Sequence, residues 1–120
     1  MRIRTIEGDW LYFNPRATGA EDRPEAFQNY MRISRDANGN FSAALNKPSA
    51  FFTIEEFRGT EKEYWLVSSD TDGKYIYKAH GKLAGNGLEI HEQLTVSNET
   101  EQIARIDATR YRKPEAASPI

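Results

Sequence analysis

Along almost the whole chain apolar side chains alternate with polar ones, and short clusters of Gly, Asn and Asp interrupt the alternation. A period of two marks an extended strand with one buried face, because successive side chains point to opposite sides of a sheet. Eight such runs are expected, at about 4 to 13, 27 to 35, 40 to 46, 50 to 57, 63 to 69, 74 to 83, 88 to 97 and 101 to 112. DANGN (36 to 40), RGTE (58 to 61), SDTDGK (69 to 74) and AGNG (84 to 87) have the composition of tight turns, with Gly39 set for the left-handed region. Such short connections make successive strands antiparallel neighbours.

Eight strands in up-and-down order expose two sheet edges unless the sheet closes on itself. The expected fold is therefore all-β: an eight-stranded antiparallel up-and-down barrel, whose interior either fills with side chains or holds one small ligand. Residues 1 to 113 should form this single domain, and 114 to 120 (PEAASPI) a flexible tail. The one long connection, NPRATGAEDRPEAFQ, begins at Asn14 and is the candidate lid; Pro24 is placed to start a short helical turn reaching Tyr30.

Composition narrows the partners. With 120 residues the chain can bury a core without staples, and it has no Cys, so disulfides and thiolate metal sites are out. Its 16 basic and 18 acidic residues are dispersed and leave a net charge of −2, no footprint for nucleic acid or an anionic membrane. The opening MRIRTIEGDWLYF lacks the apolar stretch of a secretory signal, and a cytoplasmic location is expected.

Two short motifs carry a resemblance. Gly8-Asp9-Trp10 in the first strand resembles the Gly-x-Trp signature of the calycin superfamily, the lipocalins and fatty-acid-binding proteins, and ATRYRK (108 to 113) is similar to their Arg-containing closing strand. The resemblance implies a lipocalin-like barrel in which Trp10 plugs one end and a basic residue of the last strand, Arg110 or Arg112, lies across its ring. It departs from those families in having no two-helix cap, no long C-terminal helix, and Tyr111 directly after Arg110.

The residues themselves point to an interior site. If AGNG closes the sixth hairpin, Leu83 faces Leu88, Gly81 faces Ile90 and Ala79 faces Glu92, so a carboxylate stands on an otherwise apolar face beside small residues. An odd loop around SNETE then puts Ala104, Ile106, Ala108 and Arg110 on that face, with Arg110 diagonal to Glu92 and Asp107 kept away from it. A buried carboxylate needs such a partner. A three-residue loop at 37 to 39 sets Met31 against Leu45, Ile33 against Ala43 and Arg35 against Phe41. Inner-wall candidates are Met31, Phe51, Tyr64, Leu66, Tyr75, Tyr77, Ile90, Leu94 and Ile106, and the ligand-binding set is Glu92, Arg110, Tyr75, Tyr77, Met31, Tyr64 and Leu94.

His80 and His91 face each other in this register, but between Lys78, Lys82, Glu89 and Gln93 they lie on a solvated outer face, and neither a metal nor a cofactor is expected. No catalytic constellation emerges: no elbow nucleophile, no phosphate loop. Phe52, Ile54, Trp65, Val67 and Ile76 form a second apolar set, opposite the core face, and a homodimer packed through it is expected; the competing explanation is a β-bulge that swaps the faces partway and makes these residues core. The expected function is binding of a small hydrophobic or amphipathic molecule in the barrel. The alternatives are a small lumen-based enzyme of isomerase or cyclase type and a filled barrel serving as an interaction module.

Overall fold

The computed structural model describes residues 4–15, 29–47, 52–70 and 72–114, with Phe52 as backbone only. Eight strands run in chain order: β1 (Gly8–Leu11), β2 (Tyr30–Arg35), β3 (Phe41–Leu45), β4 (Phe52–Gly59), β5 (Glu63–Asp70), β6 (Ile76–Leu83), β7 (Glu89–Ser97) and β8 (Gln102–Arg112). All pairings are antiparallel, in the order β3-β2-β1-β8-β7-β6-β5-β4, so β1 and β8 join the two ends of the chain. The result is a nearly closed up-and-down barrel whose one seam lies between β3 and β4, where Gly59 still packs against the Phe41 side chain. The described residues contain no helix, and none therefore long and apolar enough to cross a membrane. The helical turn expected from Pro24, most of the candidate lid, Phe51 and all but Pro114 of the tail lie outside the described residues.

Connections 36–40, 60–62 and 84–88 gather at one end with the start of β1 and the finish of β8. At the turn 36–40, the Asp36 carboxylate accepts the amides of Asn38 and Asn40, both at 2.9 Å, and Gly39 adopts φ 84°. The first strand is shorter than expected. Residues 4–7 leave the sheet and cross this end of the barrel instead, held by the Ile6 amide on the Glu61 carbonyl at 2.9 Å. Ile6 is buried with Trp10, Met31, Ile33, Tyr64, Leu66, Ala79 and Ile90 in one apolar cluster that fills the lower half of the barrel.

Arg112 ties this plug together. Its guanidinium lies over the Trp10 ring, 4.3 Å from the centroid, and donates to the carbonyls of Gly87 (2.9 Å), Glu7 (2.7 Å) and Thr5 (2.7 Å). The Trp10 indole N–H donates to the Ile6 carbonyl at 2.8 Å. Gly8 is required beside it: its φ of 135° is one that L side chains rarely adopt, and a Cβ there would sit 2.5 Å from Arg112 Nη1. Of the two arginines left open by the sequence, Arg112 covers Trp10; Arg110 does not.

Two registers differ from expectation. Leu88 belongs to the turn, because Ala84 closes it by donating to the Glu89 carbonyl, so Leu83 pairs with Ile90, Gly81 with Glu92 and Ala79 with Leu94. The slip is two residues, which leaves the same side chains on the inner face but moves each to a new neighbour. His80 accordingly pairs with Gln93 and His91 with Lys82, so the two histidines do not face each other.

In β4 a bulge between Ile54 and Glu56 changes which side chains point inward. Ile54 pairs with buried Ser68 and packs with Phe57 against the core, so the expected outer patch loses it. Trp65, Val67 and Ile76 stay outside; Trp65 stacks on His80 at 5.0 Å beneath Arg58, and Ile76 is exposed. The second and third strands pair as anticipated, Met31 with Leu45 and Ile33 with Ala43.

Because lysine carries one charged head where arginine has a rigid fork, Arg112→Lys cannot span the three carbonyls. The variant is expected to lose about 1–3 kcal/mol, read from the urea midpoint; a change within a few tenths of that midpoint's free energy would show that the fork adds nothing to the plug.

Candidate functional site

Above the plug, β5, β7, β8 and the segment just after β1 bring a polar cluster into the barrel. Glu92 (β7) is 3% exposed and Arg110 (β8) 1% exposed. Arg110 stands opposite Ile90 and Glu92 opposite Ala108, so the two side chains meet on the diagonal, Arg110 Nε donating to Glu92 Oε2 at 2.9 Å. The odd register of the last hairpin is the observed one, with a bulge between Val96 and Ser97.

Tyr64 reaches the same carboxylate from β5. Its hydroxyl donates to Glu92 Oε2, which thus takes two donors. Tyr64 and Glu92 flank Gly81 on either side of β6, and the Tyr64 ring crosses the space a side chain at 81 would fill: a Cβ there would lie 2.4 Å from Tyr64 Cζ. The fourth member is Tyr12, just beyond β1, whose ring lies 3.7 Å under the Arg110 guanidinium and whose hydroxyl accepts from Arg110 Nη2. Arg110 Nη1 is buried with no hydrogen-bond partner among the described residues.

Electrostatics follow the burial. Burial pushes the Tyr64 hydroxyl well above its ordinary pKa; Arg110 offsets part of this and Glu92 adds to it. Tyr12 is raised too, first by burial of its hydroxyl, with Arg110 opposing and Glu92 reinforcing, although half of its surface faces solvent. For Arg110, burial pulls the pKa down, and Glu92, Tyr64 and Tyr12 together more than offset it, so the guanidinium holds its proton more firmly than a free arginine.

Over this cluster a cavity of about 300 Å³ opens toward the other end of the barrel. Its apolar wall is Leu66, Tyr77, Ala79, Leu94 and Ala108; its polar lining is Tyr12, Ser68, Glu92 and Arg110. The space exists because Ala79, Ala108 and Ser68 are small. It is open because β8 runs eleven residues while β1 runs four and pairs only with Tyr111 and Arg112. Ile106 lies in phase with Leu94 but on this unpaired stretch, and is 45% exposed, so it does not form the inner wall expected of it.

The expected site residues therefore divide. Glu92, Arg110, Tyr77 and Leu94 line the cavity, and Tyr64 braces its floor. Met31 lies instead in the filled core, paired with Trp10 and Leu45. Tyr75 precedes β6, its amide donating to the Asp70 carboxylate at 3.1 Å, and is not among the lining residues. Two lining residues were missed, Tyr12 and Ser68. Both are in phase with recognised inward neighbours, Trp10 and Leu66, and the same period of two would have found them.

Compared with protein families, with curated proteins and with solved structures, the chain matches none.

Gly81→Ala is expected to destabilise by about 1–3 kcal/mol through overpacking against Tyr64, and most of that cost should vanish in a Tyr64→Ala background. Equal costs in both backgrounds, from urea unfolding, would remove the close approach as its cause. A second expectation concerns alkali. The folded-state pKa of Tyr64 is raised, so above the unfolded tyrosine value of about 10 the folded form binds more protons and stability falls as pH rises. Tyr64→Phe should reduce that slope by up to about 1.4 kcal/mol per pH unit; an unchanged slope in denaturation series between neutral and alkaline pH would contradict it.

Proposed function

We propose that the protein binds a small, largely apolar molecule bearing one polar group in the upper half of the barrel, with Arg110 and Glu92 as the polar anchor. One observation carries the proposal: Arg110, which lines a cavity of about 300 Å³, has a buried Nη1 with no hydrogen-bond partner among the described residues. A buried donor left unmade costs about 1–3 kcal/mol, and an acceptor on a bound molecule recovers it. The volume lies at the small end of the range in which ligand pockets fall, roughly 300–1,000 Å³, and the wall has the usual composition: apolar surface with a few convergent polar groups. The lipocalin-like reading is supported by the nearly closed barrel and by Arg112 lying across Trp10.

Arg110, Glu92 and Tyr64 need one another to be buried at all, which also suits a structural ion pair. What favours a binding role is the cavity: a pair whose only task is to close the barrel gains nothing from Ala79 and Ala108 beside it.

Native mass spectrometry of the protein purified from its own host is expected to show a stoichiometric mass excess released on denaturation. Ala108→Phe, which places a ring in the cavity, should remove the excess while the protein remains folded by circular dichroism. A wild-type protein that flies at its bare chain mass would count against binding.

A further inference from the structure

The charge balance of the cluster points to the chemical class of the occupant. Resting on the binding mode proposed above, we infer that the cavity selects an uncharged molecule with a carbonyl or hydroxyl oxygen over the carboxylate of the same carbon chain.

Among the described residues two of those lining the cavity carry formal charge, and they are opposite: Glu92 and Arg110, 3% and 1% exposed and joined at 2.9 Å. The others described are Tyr12, Leu66, Ser68, Tyr77, Ala79, Leu94 and Ala108, so the described lining sums to zero. Arg110 is the one cation among these described residues, and its charge is already matched by a carboxylate that receives its Nε. A ligand carboxylate would bring a second anion against a single cation. The lining would then hold an uncompensated negative charge out of water, which costs several kcal/mol unless a further partner is supplied.

A neutral oxygen asks for less. It needs one donor, and Arg110 Nη1 has no hydrogen-bond partner among the described residues. Of the five guanidinium N–H bonds, that of Nε goes to Glu92 and one of Nη2's to the Tyr12 hydroxyl. Donors therefore remain for an oxygen of either kind, and it is the charge of a carboxylate, set against the Glu92 already paired with Arg110, that counts against it. Beyond that oxygen the walls offer Leu66, Leu94 and the Tyr77 ring, which suits a short aliphatic or alicyclic body.

The test is a calorimetric titration of the full chain at neutral pH with three probes of equal medium chain length: a methyl ketone, a primary alcohol and a carboxylate. The ketone and the alcohol are expected to bind one per chain, and the carboxylate at least tenfold more weakly. Glu92→Gln keeps an oxygen for Tyr64 and Arg110 but removes the neutralising charge, so in that variant the preference should reverse toward the carboxylate. A carboxylate that binds wild type as tightly as the ketone, or tighter, overturns the charge selection and leaves cavity binding standing. If none of the three binds wild type, both the selection and the binding mode fall. The wild-type comparison decides these cases even if Glu92→Gln does not fold.

Discussion

Glu92 and Arg110 are almost wholly out of water, and a barrel interior tolerates that only while each satisfies the other and the remaining polar atoms find partners. Removing one partner of such a pair leaves a buried charge uncompensated, at a cost of about 3–5 kcal/mol. The surroundings are arranged accordingly. Tyr64 donates to the carboxylate from one side and Tyr12 covers the guanidinium from the other. Gly81 leaves the gap through which the Tyr64 ring passes. Four strands and the segment just after β1 are tied to one ion pair, and the pair marks where the filled part of the barrel stops.

Below it the interior is packed in the ordinary way. Trp10, Ile33 and Ile90 fill the lower barrel, and residues 4–7 leave the sheet to close its end, with Arg112 joining them to the turn at Gly87. Two arginines two residues apart on β8 thus do different work: Arg112 closes an end by donating to backbone carbonyls, and Arg110 holds a charge inside. Their charged neighbours separate them. Burial and the neighbouring Arg4 hold the pKa of Arg112 below its ordinary value, whereas the anionic side of the cluster raises that of Arg110.

Above the pair the barrel stays open for two reasons that act together. Small side chains at Ala79 and Ala108 leave volume, and β8 outruns β1 so that, among the described residues, no strand covers its first half from that side. The same mismatch leaves Ile106 exposed. A filled and an empty barrel, alternatives on the sequence, are both present here, one in each half.

Strand number, antiparallel order and the division of residues between inside and outside follow from the sequence alone, because alternation with period two is a local property that any sheet with one buried face must show. It also placed Arg110 diagonally from Glu92, since only an odd last loop kept Asp107 away from the carboxylate. What the tertiary structure decided was each point at which that period is interrupted or left unpaired. The turn after Leu83 takes in Leu88 and shifts β6 on β7 by two residues, which alternation cannot detect, because a shift of two leaves every side chain on its own face. The bulge after Ile54 turns that residue inward, and the unequal lengths of β1 and β8 open the cavity. Bulges, turn closures and strand ends are settled by packing between distant segments, whereas the alternation that names the fold is written residue by residue.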